Sequence, residues 1–417
     1  MAISLKDYLP SGRNPSILTV GMFVNSLGTG MFLAGGTLFF LRVVGLSAAE
    51  LALGLGIAAF AGLVATVPIG MAADRCGTKR MLILLSLLRA GAFAALAFSA
   101  DLTAFTAFAA MQTAAGQASV PIIQALTGAV TAERDRVRTM AVIRSVRNIG
   151  FSVGALAAAP IVGSDSLALN RSLLVSVGVL IAIGGAIVLA LRLEAAEIGP
   201  VKAKNPLAAS KALADGPYAA LAALHSVLML HMTLLAVGVP LWISQYETIP
   251  AATVPGVIFL NTVLAVVLQV PLAKNVDDVA SGVRTTRLAG AALAVTALVM
   301  AVGLDRLPLW VGVGVVAAAC VTLTFGELWQ AVGSWELSYA LAPAESRTTH
   351  LSLFSLGRSV QEMIGPGAVA VVLAAGVWGW AALAVAFVAA AFASGPVARS
   401  VEERRRAPGP AEASATR

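Results

Sequence analysis

The sequence predicts an all-α membrane protein in which twelve transmembrane helices form two six-helix bundles related by a pseudo-two-fold axis. Three observations lead there. The chain is 59% hydrophobic and only 12% charged, with a mean hydropathy of +0.89, whereas about a quarter of residues are charged in soluble domains. Its apolar residues fall in runs long enough to cross hydrocarbon, separated by short charged or Gly/Pro-containing gaps. Finally, the basic residues alternate from gap to gap as short loops on one side of a bilayer require.

Taken in order, the apolar runs are expected at 16–41, 48–73, 79–99, 102–130, 139–163 and 168–191, then at 218–245, 251–273, 284–304, 308–341, 348–375 and 377–396. A polar stretch, 192–216, separates the two sets. The expected organisation is a cytoplasmic N-terminal segment at 1–15, a first bundle at 16–192 and a cytoplasmic linker at 193–216. A second bundle at 217–398 and a disordered cytoplasmic tail at 399–417 complete it. The first run is too long for the apolar stretch of a signal peptide and leads directly into the next, so it is expected to be retained.

Placing both termini inside tests this layout. All the lysines and most arginines then fall in inner loops or tails, and only Arg42, Arg171 and Arg306 fall outside. Arg89, Arg144, Arg147 and Arg358 lie within spans. Deleting one span from the first half scrambles the asymmetry, so the even count matters.

The halves also repeat. TAERDRVRTMAVIRSVRNIGFSVG (131–154) aligns with APAESRTTHLSLFSLGRSVQEMIG (342–365) across a one-residue gap. Glu133 falls on Glu345, Arg136 lies near Arg347, Arg147 falls on Arg358, and Gly154 on Gly365. Pro68 aligns with Pro271, bringing Asp74 onto Asp277. Parallel duplication of six helices implies a substrate site between the halves near the midplane.

Between the second and third runs stands GMAADRCGTKR (70–80), a glycine- and charge-rich turn in a gap too short for anything but a tight connection. With the duplication, this turn resembles the signature of the major facilitator superfamily: G, three residues, D-R-x-G, then bases. Here these residues are Gly70, Asp74, Arg75, Gly77, Lys79 and Arg80. The resemblance covers nearly all of the chain apart from its tails. It implies alternating access, with the turn latching one end of the halves together and Asp74 acting at the start of helix eleven. The second copy, VPLAKNVDDVASGVRTTR (270–287), keeps Asp277 without the D-R-x-G spacing, so latching is expected to be asymmetric. Exporters of this superfamily often carry an arginine in helix four. Gln112 stands there in this chain, and helix five has Gly150, Gly154 and Pro160 without a full Gly-Pro-Gly-Gly run.

An ionisable group deep in a span costs several kcal/mol and is by default a functional candidate. Glu327, in FGELWQ of helix ten, is the leading candidate for proton exchange or for binding a substrate cation, since a buried carboxyl stays neutral unless a cation compensates it. A structural, hydrogen-bonded carboxyl is the plain alternative. Glu362 is a second candidate, and it follows Arg358 by four residues, so an internal ion pair competes with a coupling role. Glu336 is expected at a gate or loop contact. Arg144 and Arg147 are expected to serve the loop containing Glu133 and Asp135, and Arg89 to be structural and to snorkel.

In the superfamily the first, fourth, seventh and tenth helices line the central cavity. The resemblance therefore implies a cavity lined by Asn25, Gln112, His231 and Glu327, with Trp242 and Trp329 as apolar contacts. His225 and His231, six residues apart, do not share a helix face, and neither cysteine, Cys76 nor Cys320, completes a metal set.

Composition and motifs exclude other classes. The net charge of +7 is scattered over many loops, with no aromatic-interleaved basic face for nucleic acid. No G-x-x-x-x-G-K-[ST] loop exists to cradle ATP, and no cofactor or metal is expected. GFSVG (150–154) matches G-x-S-x-G, but a nucleophile elbow needs a strand-to-helix turn and this copy lies inside an apolar helix, so an intramembrane serine hydrolase is disfavoured. A receptor or scaffold lacks an exposed domain. The expected function is proton-coupled efflux of an amphipathic or weakly basic drug or metabolite, with uptake of a small nutrient as the alternative. The expected partners are a small-molecule substrate, protons and the lipid bilayer. The expected form is a monomer in a bacterial cytoplasmic membrane.

Overall fold

The computed structural model describes residues 10, 12–161, 164, 166–192, 214–250, 253–305 and 307–406. Among them the chain is helical throughout. The first half contains α1 (Arg13–Leu38, continued by a π turn at Phe39–Val43), α2 (Ala48–Cys76), α3 (Thr78–Leu96), α4 (Leu102–Val130), α5 (Arg136–Ala158) and α6 (Leu167–Val188). The second contains α7 (Gly216–Ser244), α8 (Thr253–Leu272), α9 (Val279–Met300), α10 (Leu309–Ala340), α11 (Arg347–Ala374) and α12 (Gly376–Arg406).

Among the described residues, eight helices are long and apolar enough to cross a membrane: α1, α2, α6 to α10 and α12. The other four carry the polar load. α5 holds Arg136, Arg138, Arg144 and Arg147, α11 holds Arg347, Arg358 and Glu362, α3 holds Lys79, Arg80 and Arg89, and α4 holds three glutamines. Large apolar side chains such as Phe60 (60% exposed) and Leu33 (67%) point outward, as a lipid-facing surface requires.

α7 is the one irregular helix of its half. It turns at Met229–Leu230 and opens into a π turn at Leu234–Gly238, immediately before Pro240. Proline has no N–H for the preceding turn and its ring crowds the carbonyl four residues back, so the ladder widens there.

The chain divides into two compact units, 1–206 with 262–275, and 207–261 with 276–417. This departs from a simple split at the linker, because the second part of α8, including buried Ala265, Gln269 and Val270, groups with the first unit. Residues 193–213 of the expected linker, and 1–9 and 11 of the N-terminal segment, lie outside the described residues. A further correction concerns the tail. α12 continues past 398 to Arg406, because Ala398 and Val401 are buried in the core of the second unit and Arg405 docks there. Only 407–417 of the expected tail lies outside the described residues.

The sequence repeat reappears as a repeat of packing. In the first unit α1 packs on α5 and α6, and α3 on α4 and α6. In the second α7 packs on α11 and α12, and α9 on α10 and α12. α5 and α11 even start alike, each after a short 3₁₀ turn, at Glu133–Asp135 and Ala344–Ser346. Gly154 and Gly365, matched by alignment, face corresponding helices, α1 and α7. A Cβ on Gly154 of α5 would overlap the Leu27 carbonyl oxygen of α1, and one on Gly365 of α11 would overlap Thr233 Oγ1 of α7. At Gly154 the obstacle is backbone, so only glycine permits the approach, whereas at Gly365 it is side chain.

Gly154→Val should therefore force α1 and α5 apart and destabilise the chain by about 1–3 kcal/mol, read as a lowered unfolding temperature in detergent. Gly367→Ala, where an added Cβ meets nothing within 4 Å, should leave that temperature unchanged.

Candidate functional site

The signature turn is built by a single glycine. Gly77 alone separates α2 from α3, with φ of +92°, and its N–H donates to the Ala73 carbonyl at 2.9 Å. That left-handed backbone favours glycine. The turn then reaches across its own unit. Lys79 Nζ donates to the Leu189 and Leu191 carbonyls at 2.8 Å each, placing a cation where α6 ends and its exposed carbonyls need donors. Gly70 is buried, Asp74 is half-buried and held by partners, and Arg75 and Arg80 are exposed. The degraded second copy does something else. Asp278 caps α9, its carboxylate accepting the Ser281 N–H at 2.7 Å. Hydrogen bonds from the Ser281 side chain and backbone hold the Asp278 carboxyl below the usual carboxylate range. Asp277, the aligned residue, is exposed.

Glu327 lies inside the second unit. It is 9% exposed, and its Oε2 accepts from Asn261 Nδ2 of α8 at 3.0 Å. The same amide donates to Thr324 Oγ1 at 3.0 Å, and Thr324 in turn donates to the Cys320 carbonyl. One turn further along α10, Gln330 Oε1 lies 3.4 Å from His231 Nε2 of α7. Gln361 of α11 donates to Thr233. Polar side chains from α7, α8, α10 and α11 thus meet within the bundle. Asn261 escaped the sequence reading because a lone asparagine in an apolar run carries no spacing signal. Its value comes only from the side chain it faces.

The other expected residues are distributed as follows. Glu362 is exposed and paired with Arg358, whose Nε donates to it at 2.8 Å. Glu336 is buried beside Gly282 of α9. Trp242 is 1% exposed and belongs to the hydrophobic core of the second unit, stacking edge-on to Tyr246, so it is core filling and not cavity lining as expected. Trp329 is half-buried against Phe325. His225 is wholly buried against Phe354. In the first unit Gln112 is half-buried and donates to Thr113, and Asn25 faces Arg89, with Nη1 donating to its Oδ1 at 3.4 Å. A cavity of about 400 Å³ in the second unit opens between α7 and α11, lined by Ala222, Ser226, Leu230, Gly357 and Gln361 among others. Ser152 of the GFSVG run is mid-helix and donates to the Asn148 carbonyl four residues back, which is no nucleophile elbow.

A sequence profile described as Major Facilitator Superfamily matches residues 18–360. The chain belongs to the major facilitator superfamily. Solved structures share this major facilitator's fold at low identity. The E. coli fucose:proton symporter, in a singly substituted form, superposes with a TM-score of 0.68 at 13% identity over 93% of this chain and 99% of that one. A bacterial homologue of the iron transporter ferroportin, in an outward-facing state, gives 0.66 at 15% over 94% and 100%. The human organic anion transporter MFSD10 gives 0.58 at 15% over 91% and 98%. No curated protein matches this major facilitator in sequence. Family and fold make it a multi-pass membrane protein and a secondary transporter.

Replacing Lys79 by Met should remove both bonds to the end of α6 and cost about 1 kcal/mol, measurable as a lowered unfolding temperature in detergent. Arg80→Met, an exposed neighbour, should have no such effect.

Proposed function

We propose that this major facilitator exports an amphipathic organic solute in exchange for protons, with Glu327 as the proton-exchanging group. The buried Glu327 carboxyl, on a mid-helix turn and hydrogen-bonded by a neutral amide from α8, carries the reading. A carboxyl enclosed in a span is a default candidate for exchanging a proton or meeting a cation. Residues 1 to about 200 rock against about 217 to 398, exposing the site to one compartment and then the other. The protonation state of Glu327 biases which state is preferred. Asp74 and its turn set the resting state, and Asn25, Gln112, His231 and Trp329 contribute to substrate contacts. One proton per cycle transmits about 1.4 kcal/mol per pH unit, enough to hold a tenfold solute gradient. The bias of lysine and arginine toward one set of loops supports both termini being cytoplasmic, in a bacterial inner membrane. A monomer suffices, since one chain supplies both units.

The test uses the full chain in proteoliposomes, an imposed pH gradient and an unbiased compound panel. The wild type should accumulate a solute against its gradient only when the pH gradient is present. Glu327→Gln should abolish that dependence while leaving solute counterflow intact, and Asp74→Asn should slow both. Unchanged coupling in Glu327→Gln overturns the assignment, and accumulation in the opposite direction makes the protein an importer.

A further inference from the structure

Arg89 does not snorkel. Gly116 stands at the centre of the 29-residue α4, about 21 Å from either end at 1.5 Å per residue. A Cβ on it would lie 3.3 Å from Arg89 Nε and 3.5 Å from Cζ. The guanidinium is therefore held in the middle of the first unit, in space that the missing side chain of Gly116 leaves open. Asn25 approaches from α1.

This cation is under-satisfied. A guanidinium presents five N–H donors and stays charged. Among the described residues it makes one hydrogen bond, the 3.4 Å contact to Asn25 Oδ1, and its Nε is enclosed with no acceptor. No carboxylate can neutralise it from within the unit's helices. α1, α3, α4, α5 and α6 contain no Asp or Glu, and α2 has Glu50 and Asp74 only in its first and last turns. A positive charge at this depth costs several kcal/mol unless an anion meets it. Arg89 nevertheless remains partly exposed, so an anion has an approach, and the amide nitrogen of Asn25 has no protein acceptor among the described residues.

We propose that Arg89 and Asn25 form a binding subsite for an anionic group, a carboxylate or its sulfonate or phosphate counterpart, on the transported solute. The proposal rests on the transport reading above and sharpens it: of the amphipathic or weakly basic solutes expected, it selects an amphipath with an acid at its polar end. The planar guanidinium offers paired N–H donors to two anion oxygens, and the Asn25 amide adds a third. Gly116 keeps the space for the cation.

The experiment measures calorimetric binding of three probes of one size, naphthoate, naphthamide and naphthylmethylammonium, to the detergent-solubilised full chain. Naphthoate should bind about tenfold tighter than naphthamide, the loss expected when a charge-assisted hydrogen bond is removed. Arg89→Gln should bring naphthoate down to the naphthamide level without changing naphthamide affinity, and Arg89→Lys should retain part of the preference. A purely structural Arg89 predicts equal losses for both probes. Absence of a preference in the wild type, or its survival in Arg89→Gln, overturns the subsite. Flux of the same probes into proteoliposomes is measured in parallel. Charge-selective binding with no flux of naphthoate upholds the subsite and overturns transport of that solute, whereas flux indifferent to charge overturns the subsite alone.

Discussion

Apolar surface gains nothing by leaving lipid for protein, so helices in a bilayer are joined by close packing and by polar contacts, not by the hydrophobic effect. In this chain the packing depends on glycines placed where two backbones meet. Gly30 of α1 lies against the Phe151 carbonyl and Gly154 of α5 against that of Leu27, so each helix supplies a notch for the other. The pairs α3 with α6 and α9 with α12 repeat the device, through Gly178 against Ala90 and Gly290 against Ala391. The glycine sits on the later helix in one unit and on the earlier in the other, while the contact itself persists. What duplication preserved is the meeting of helices more than the residue at each position.

With the helices this close, few polar groups fit inside, and the two units have used the space differently. The first encloses a guanidinium, Arg89, with Asn25 beside it. The second encloses a carboxyl, Glu327, with Asn261 beside it. Each of these side chains is met by a neutral amide from another helix, accepting from Arg89 in one unit and donating to Glu327 in the other. The related scaffolds have thus come to enclose a base in one unit and an acid in the other.

The fold was largely legible in the sequence because hydrocarbon thickness and loop charge are strong constraints that leave a direct trace in residue type. Gly154 was legible for a similar reason, since its approach to the Leu27 carbonyl leaves no room for a larger side chain. The polar sites were less legible. Glu327 stood out as a charge in an apolar run, but its partner Asn261 did not. Snorkelling is the ordinary expectation for a long basic side chain in a span, but Arg89 stands midway along α3, and nothing in α3 alone shows that Gly116 opens a place for it. Trp242 was expected at a cavity, yet its helix is twisted by the π turn before Pro240 and buries the indole in the core. Kinks of that kind rotate everything beyond them, and a helical wheel drawn from sequence cannot follow.

The base of the second unit carries a joint whose reach goes beyond stability. Asp215, which caps the start of α7, binds Arg405 from the final turn of α12, while His350 of α11 lies 3.5 Å away and holds the Ser346 carbonyl through its other ring nitrogen. Arg405 also donates to the Leu341 carbonyl. The first and last helices of the unit are thereby buckled together like the two ends of a belt. Trimming the chain back by a few residues from Arg406 is accordingly no cosmetic shortening: it unfastens the buckle, and any fused reporter belongs beyond that point.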